Sequence, residues 1–447
     1  MIKLHKGQSK VYKDIFIDQV CRFAVVRCSR GWGKSYCGAT IAGTAIFELL
    51  ELHPYVPHKV VYIIAPTYDQ VIDIYYPLIN YDLGFGDLAL KSSKDTGRFI
   101  FPNNVELRLL SYESIERMRG KGAYFVLWDE LCSCKKGIKP RDAWQGVIQP
   151  AIITRWSAAR AISFGAKSPG RAAFIGTPKG YNFFKELSDY EEENPLWKSY
   201  HFDYRSSPFL DIDEIESIKH NIDPIEFASE YMATFENSGN NVFYCFDRKI
   251  HVDRELEYFR APKDGEPGED VHVGIDFNVG LQCSSMSALR GGQLHVLDEV
   301  KGHPDTETLA ISLATKFKGH KIFAYPDPTG RSRKTSAPVG VTDFTILKDH
   351  GITVLARSHS PAIVDSVASV NRMLKNAAGD VNVRIHPRCR GLLESLERTK
   401  WVDNNSDTAT IDKSEGIEHF GDGFRYKTEF MFPIKKHSIV TSRGFGF

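Results

Sequence analysis

The sequence carries almost no net charge: 57 lysines and arginines face 56 aspartates and glutamates, and the balance stays near even on both sides of residue 235. Such a chain has no global attraction for a polyanion, so any nucleic-acid surface must be a local patch. The eight cysteines (Cys21, Cys28, Cys37, Cys132, Cys134, Cys245, Cys283 and Cys389) include no C-x-x-C pair. That disfavours a zinc site or a disulfide framework and fits reduced thiols in a cytosolic compartment. Equally missing are an apolar core behind Met-Ile-Lys-Leu-His-Lys and any uninterrupted apolar stretch of membrane-spanning length. The expectation is a protein in solution with no signal peptide and no membrane. What is present is 447 residues of 42% apolar content, more than one hydrophobic core usually organises, so two domains are expected.

The first half alternates apolar β-branched runs with helical patterns. The runs are Phe23 to Val26, Val60 to Ala65, Val105 to Leu110, Phe125 to Trp128 and Ala172 to Ile175. Such alternation predicts a mainly parallel α/β sheet covered by helices. The first run leads into Cys28-Ser29-Arg30-Gly31-Trp32-Gly33-Lys34-Ser35, and a helix-compatible stretch from Tyr36 to Leu50 follows. Strand, loop, helix is the context a phosphate-binding loop requires. Gly31 and Gly33 let backbone N–H groups face phosphate oxygens, Lys34 reaches the outer phosphates, Ser35 suits Mg²⁺, and the helix N-terminus adds positive potential. The pattern departs from G-x-x-x-x-G-K-[ST] at its first glycine, which is Cys28 here.

Residues 124 to 130 read Tyr-Phe-Val-Leu-Trp-Asp-Glu, an apolar run ending in two carboxylates. A buried strand tolerates that ending when the carboxylates meet a cation or water at its tip. In nucleotide hydrolysis, Asp129 would hold Mg²⁺ through water and Glu130 would orient or deprotonate the attacking water. A glutamate directly after the aspartate marks the branch of P-loop proteins that includes helicases and motors. A fifth run ends in Gly176-Thr177-Pro178-Lys179-Gly180. Its Thr177 hydroxyl can sense a γ-phosphate or its water, and the same residues also suit a plain turn.

In the second half, strands are expected at Val271 to Asn278, Ser285 to Arg290 and Leu294 to Val300. A helix near Thr306 to Phe317, a strand over Lys321 to Asp327 and a C-terminal helix through His419 to Tyr426 follow. That is the order of an RNase H-like fold. In it Asp276, Asp327 and Asp422 would converge on two divalent ions, an arrangement that activates water and neutralises a leaving oxyanion in phosphodiester cleavage. Glu299 is a weaker fourth candidate, and His419 is a candidate for orienting a ligand.

Taken together, these motifs resemble the large subunit of a bacteriophage or prophage terminase, along roughly residues 5 to 430. The resemblance rests on Ser29-Arg30-Gly31-Trp32-Gly33-Lys34-Ser35, Ala65-Pro66-Thr67-Tyr68, Arg119-Gly120-Lys121-Gly122, Gly176-Thr177-Pro178 and the three aspartates. It implies an ATPase that drives double-stranded DNA into a procapsid, joined to a metal-dependent endonuclease that cuts the concatemer. ATP and Mg²⁺ are the implied cofactors, with Mn²⁺ as an alternative at the nuclease site. A small terminase subunit and the portal protein are the implied partners, with a homo-oligomeric ring on the portal in the host cytoplasm. Gln8 resembles the glutamine that reads adenine, Arg30 and Arg119 resemble arginines approaching the γ-phosphate, with Arg119 acting from a neighbouring subunit, and Thr177 resembles the motif coupling hydrolysis to movement.

The expected organisation is a P-loop (RecA/ASCE-like) ATPase domain over 1–235, a linker over 236–270, an RNase H-like nuclease domain over 271–433 and a flexible tail over 434–447. Short acidic helices are expected at Leu210 to His220 and Pro224 to Phe235. Basic residues at Arg331-Ser332-Arg333-Lys334 are candidates for DNA backbone contact, or a solvated loop. The rival readings are a DNA helicase or remodelling ATPase with an inactive RNase H-like domain, and an assembly protein that uses nucleotide as a switch.

Overall fold

The computed structural model describes residues 3–133, 139–180, 182–236, 239–277, 282–332, 340–403 and 410–434. Cys134, Asn278, Arg333, Lys334 and the tail beyond residue 434 lie outside the described residues. The chain forms two compact units: one holds residues 3–215 and 228–236, the other 216–227 and 239–434. The stretch 228–236 therefore belongs to the first unit, although the chain on both sides of it belongs to the second.

The first unit is built on an eight-stranded sheet. Its strands are β1 (Phe23–Cys28), β2 (Val60–Ala65), β3 (Lys91–Ser93), β4 (Arg98–Phe101), β5 (Val105–Ser111), β6 (Phe125–Asp129), β7 (Arg171–Gly176) and β8 (Trp197–Phe202), in the order β3-β4-β5-β2-β6-β7-β1-β8. From β5 to β8 every pairing is parallel, while β3 and β4 add an antiparallel edge. Strands covered on both faces read as continuous apolar runs, and β6 and β7 are buried at every position. The strand carrying the phosphate loop, β1, is separated from the Asp-Glu strand β6 by β7, with Val26 opposite Ile175 and Ile175 opposite Asp129. Three helices matter for the site: α1 (Lys6–Tyr12), α2 (Lys34–Leu50) and α3 (Tyr68–Pro77). In α2, Ile41, Ile46 and Leu49 are fully buried, each contributing roughly 1.5–3 kcal/mol of hydrophobic stabilisation.

The expected short helices form as α4 (Ile212–Ile218) and α5 (Pro224–Glu230). Residues 239–270 do not behave as the expected linker. Val242, Phe243 and Phe259 are buried in the cores of the second unit, and backbone bonds run from Val242 to Thr399 and from Asp253 to Ile385. The longest exposed run in this stretch is the Pro- and Gly-rich 260–267.

The second unit has a six-stranded sheet of β9 (Gly268–Asp276), β10 (Gln282–Arg290), β11 (Gln293–His303), β12 (His320–Pro326), β13 (Thr353–Val354) and β14 (Val383–Ile385), ordered β13-β12-β9-β10-β11-β14. Strands β9, β10 and β11 run antiparallel, and β12 joins the far side of β9 in parallel. This is the RNase H-like arrangement expected from the strand order, extended by β14. Its helices include α6 (Thr306–Lys316), α7 (Ile363–Leu374), α8 (Arg390–Arg398) and α9 (His419–Met431). Among the described residues no helix is long and apolar enough to cross a membrane.

Candidate functional sites

The phosphate loop leaves β1 at Cys28 and enters α2 through two glycines in the left-handed region, Gly31 at φ +76° and Gly33 at φ +93°. A Cβ at Gly33 would stand 2.6 Å from the Gln8 amide nitrogen, and one at Gly31 would stand 2.6 Å from Leu210. Only glycine satisfies both the backbone and the space. Cys28 is wholly buried, so the loop starts from inside the sheet core.

Lys34 Nζ donates to Thr177 Oγ1 at 2.9 Å and lies 3.4 Å from Glu130 Oε1. Burial opposes the lysine charge, but the neighbouring carboxylates, led by Glu130, outweigh it and raise its pKa. The Thr177 N–H points at Glu130 Oε2, 3.5 Å away. The start of α2 thus meets the chain just beyond the ends of the paired strands β6 and β7. Glu130 itself adopts φ +50°, a region disfavoured for a side-chain-bearing residue and characteristic of functional positions.

Beneath this cluster, Asp129 Oδ2 accepts a 2.8 Å hydrogen bond from the Tyr75 hydroxyl, whereas Oδ1 is buried with no hydrogen-bond partner. Burial, followed by the nearby Glu130, pushes the Asp129 pKa up to about 7. An unpartnered buried carboxylate oxygen is costly, and a divalent cation or its water would supply the missing partner. Asp129 and Ser35, the second residue of α2, therefore fit Mg²⁺.

The remaining expected residues of this unit fall in different places. Gln8 is buried against the loop, where its amide donates to Gly33 O at 3.1 Å and accepts from His5 N at 3.2 Å. Both ends of the amide are thus engaged within the protein. The Arg30 side chain is exposed, and its backbone N–H donates to Glu230 O at 2.8 Å. Arg119 is exposed and paired with Glu116 at 2.7 and 3.0 Å, with a further bond to Gly146 O; the structure does not bring it to Lys34 or Glu130.

In the second unit, Asp276 ends β9 and Asp422 lies in the first turn of α9. They meet because helix and strand touch backbone to backbone: a Cβ at Gly274 would stand 2.3 Å from Gly423 O. Burial, then the Asp422 charge, pushes Asp276 up to about 6. His419 Nδ1 lies 3.0 Å from Asp276 Oδ2. Asp327 sits one step away, its Oδ2 accepting from Tyr426 OH at 2.9 Å and its Oδ1 from Thr329 N at 2.9 Å. Tyr426 feels all three aspartates, which with burial drive its pKa up.

The expected three-carboxylate metal cluster is only partly assembled. Among the described residues no group of three or more His, Cys, Asp or Glu could hold a metal ion. The reason is visible in the side chains: Asp422 Oδ1 faces Arg425 at 3.0 Å, its Oδ2 faces Lys413 at 3.4 Å, and Asp327 is held by Tyr426. The Asp276 and Asp422 pair fits a divalent cation in chemistry, with cationic side chains neutralising Asp422 instead. Glu299, the weaker fourth candidate, is engaged elsewhere. Its carboxylate accepts from Gly391 N at 2.8 Å and Leu392 N at 3.0 Å, capping α8, where helix N-terminal N–H groups favour an anion. Arg331 donates to Arg357 O at 3.2 Å and packs over Phe344.

A family model described as terminase large subunit, T4likevirus-type, N-terminal, matches residues 27–250, half of the chain. The chain belongs to this family. The large terminase subunit of Escherichia phage T5 is 26% identical over 258 residues, covering 57% of this chain and 53% of that protein. The chain thus spans about half the length of this curated relative. Among solved structures, the large terminase of a thermophilic bacteriophage aligns over 96% of this chain and 99% of its own at 14% identity and TM-score 0.47. The Thermus phage P74-26 large terminase ATPase domain aligns over 52% and 94% at 21% identity and TM-score 0.39.

Four residues of this terminase were not singled out from sequence. Tyr75 reaches Asp129 from α3, and Arg425 and Tyr426 hold Asp422 and Asp327. Glu418, just before α9, is buried with Oε2 unpartnered, and its Oε1 lies 3.8 Å from His419. The closest signal for the last three was their adjacency to His419 and Asp422. Tyr75 had none, because its position depends on how α3 packs.

Proposed function

We propose that the chain is a DNA-packaging motor and nuclease, hydrolysing ATP in its first unit to move double-stranded viral DNA into a procapsid and cutting the concatemer with its second. The observation that carries this reading is the meeting of Lys34, Glu130 and Thr177 above an Asp129 oxygen that lacks a partner. Lys34 holds the outer phosphates, Glu130 takes the proton of the attacking water, and Thr177 registers whether the γ-phosphate is present. Bound Mg²⁺, held by Ser35 and Asp129, supplies charge neutralisation at the phosphates. Gln8 reads adenine after releasing Gly33, Arg30 approaches the phosphates in the same chain, and Arg119 does so from a neighbouring subunit of a homo-oligomeric ring.

In the second unit, Asp276, Asp327 and Asp422 would hold Mg²⁺ or Mn²⁺, which would activate water and neutralise the leaving oxyanion, and His419 orients Asp276. A small terminase subunit and the portal are the protein partners, and the work takes place in the host cytoplasm. Plasmid cleavage measured against Mg²⁺ and Mn²⁺, beside ATP hydrolysis with and without DNA, tests both halves. The expected result is DNA-stimulated hydrolysis together with metal-dependent cutting. The salt bridges on Asp422 favour a second reading, a translocating ATPase whose RNase H-like unit is silent, and absence of cleavage with either metal would select it.

A further inference from the structure

Tyr75 is fully buried, yet its hydroxyl is directed at the nucleotide site and not into an apolar core. It donates to Asp129 Oδ2 at 2.8 Å. It enters from α3, beside Gly38 of α2, where a Cβ would stand 3.4 Å from the Tyr75 hydroxyl and 2.6 Å from Leu127. The glycine one turn after Lys34 thus keeps α2 close enough for a phenol to reach past it.

We propose that Tyr75 is a positioning residue for the metal: its hydroxyl holds Asp129 Oδ2 and leaves Oδ1, which has no hydrogen-bond partner in the protein, for the cation. This rests on the ATPase reading above. With Oδ2 occupied by the phenol, Oδ1 is the carboxylate oxygen left without a hydrogen-bond partner. Without the phenol, both oxygens compete for the same role and the carboxylate is free to turn. Groups that orient a metal-binding carboxylate typically account for about 10–100-fold in metal affinity.

The test uses Y75F in the full chain, which keeps the ring and removes only the oxygen, with binding of a fluorescent ATP analogue titrated against Mg²⁺. The expected result is unchanged binding in EDTA, a Mg²⁺ midpoint raised by about 10–100-fold, and a Y75F/D129N double variant no worse than D129N, because the phenol acts through Asp129. A Y75F midpoint equal to wild type overturns the proposal, as does additive loss in the double variant. A Y75F protein weakened equally in EDTA and in Mg²⁺ assigns the residue to packing and overturns it too. Failure of the wild-type chain to bind the analogue at all would instead overturn the ATPase reading.

Discussion

Glu130 combines the expected catalytic carboxylate with a left-handed backbone at φ +50°, and two substitutions separate the consequences. Glu130→Gln removes the proton acceptor and leaves the backbone as it is; Glu130→Gly removes the acceptor and relieves the conformation. Loss of a general base costs about 10²–10⁴ in rate, or about 3–5 kcal/mol of transition-state stabilisation at 1.36 kcal/mol per decade, so both variants should lose ATP hydrolysis. Both also lose the 3.4 Å pairing with Lys34, which therefore cancels between them. What differs is the steric cost of a side chain in the left-handed region, about 1–2 kcal/mol, offset in part by the greater flexibility of glycine in the unfolded chain and by the 3.5 Å contact from the Thr177 N–H that glutamine keeps and glycine loses. The glycine variant should be more stable than the glutamine variant by about 1 kcal/mol, a rise of about 2–4 °C in the melting temperature for a unit of this size. Steady-state hydrolysis and thermal unfolding, followed side by side, read the two effects. A glycine variant that melts below the glutamine variant would refute the strain argument, and hydrolysis within threefold of wild type in either would refute the catalytic role.

Lys34→Ala should abolish ATP hydrolysis while metal-dependent plasmid cleavage by the same protein persists; turnover surviving in that variant would contradict the phosphate-loop assignment. Asp276→Asn should do the reverse, and retained cutting would remove Asp276 from the nuclease site. A pH dependence follows from Glu269, whose pKa is lowered to about 2, first by hydrogen bonds from Arg290 and then, against the opposing effect of burial, by Arg260. A depressed carboxylate pKa gives stability that is fully present above the unfolded value of 4.5 and lost as pH falls through about 2. Denaturant titrations across that window should show second-unit stability declining in wild type and a flatter decline in Glu269→Gln, with parallel curves counting against the argument.

The parts of the fold that could be read from sequence are those where burial on both faces forces a continuous apolar run. Strands β1, β2, β5, β6 and β7 all begin and end within two residues of the expected runs. The edges could not be read this way. Lys91–Ser93 is polar throughout and largely exposed, and Trp197–Phe202 mixes polar with apolar residues because it lies at the edge of the sheet, and so they resemble ordinary loops. Helix α7 fell in a stretch without a motif to draw attention to it. At the sites, residue types that carry chemistry stood out, whereas the groups that restrain them did not. Glu299 illustrates the limit: a strand carboxylate gives the same sequence pattern whether it binds metal or caps a helix, and its bonds from Gly391 and Leu392 are visible only in the fold.

The short stretch 228–236 is sewn into the first unit at several points. Glu230 O receives the Arg30 N–H of the phosphate loop, the Ser229 hydroxyl donates to Pro178 O next to Thr177, and Tyr231 O and Met232 O accept from Tyr204 and His201. Both of its ends are joined through peptide bonds to chain that belongs to the second unit. The stretch is thus tied by hydrogen bonds both to the phosphate loop and to the turn that carries Thr177, so that one short segment bridges the two within the first unit.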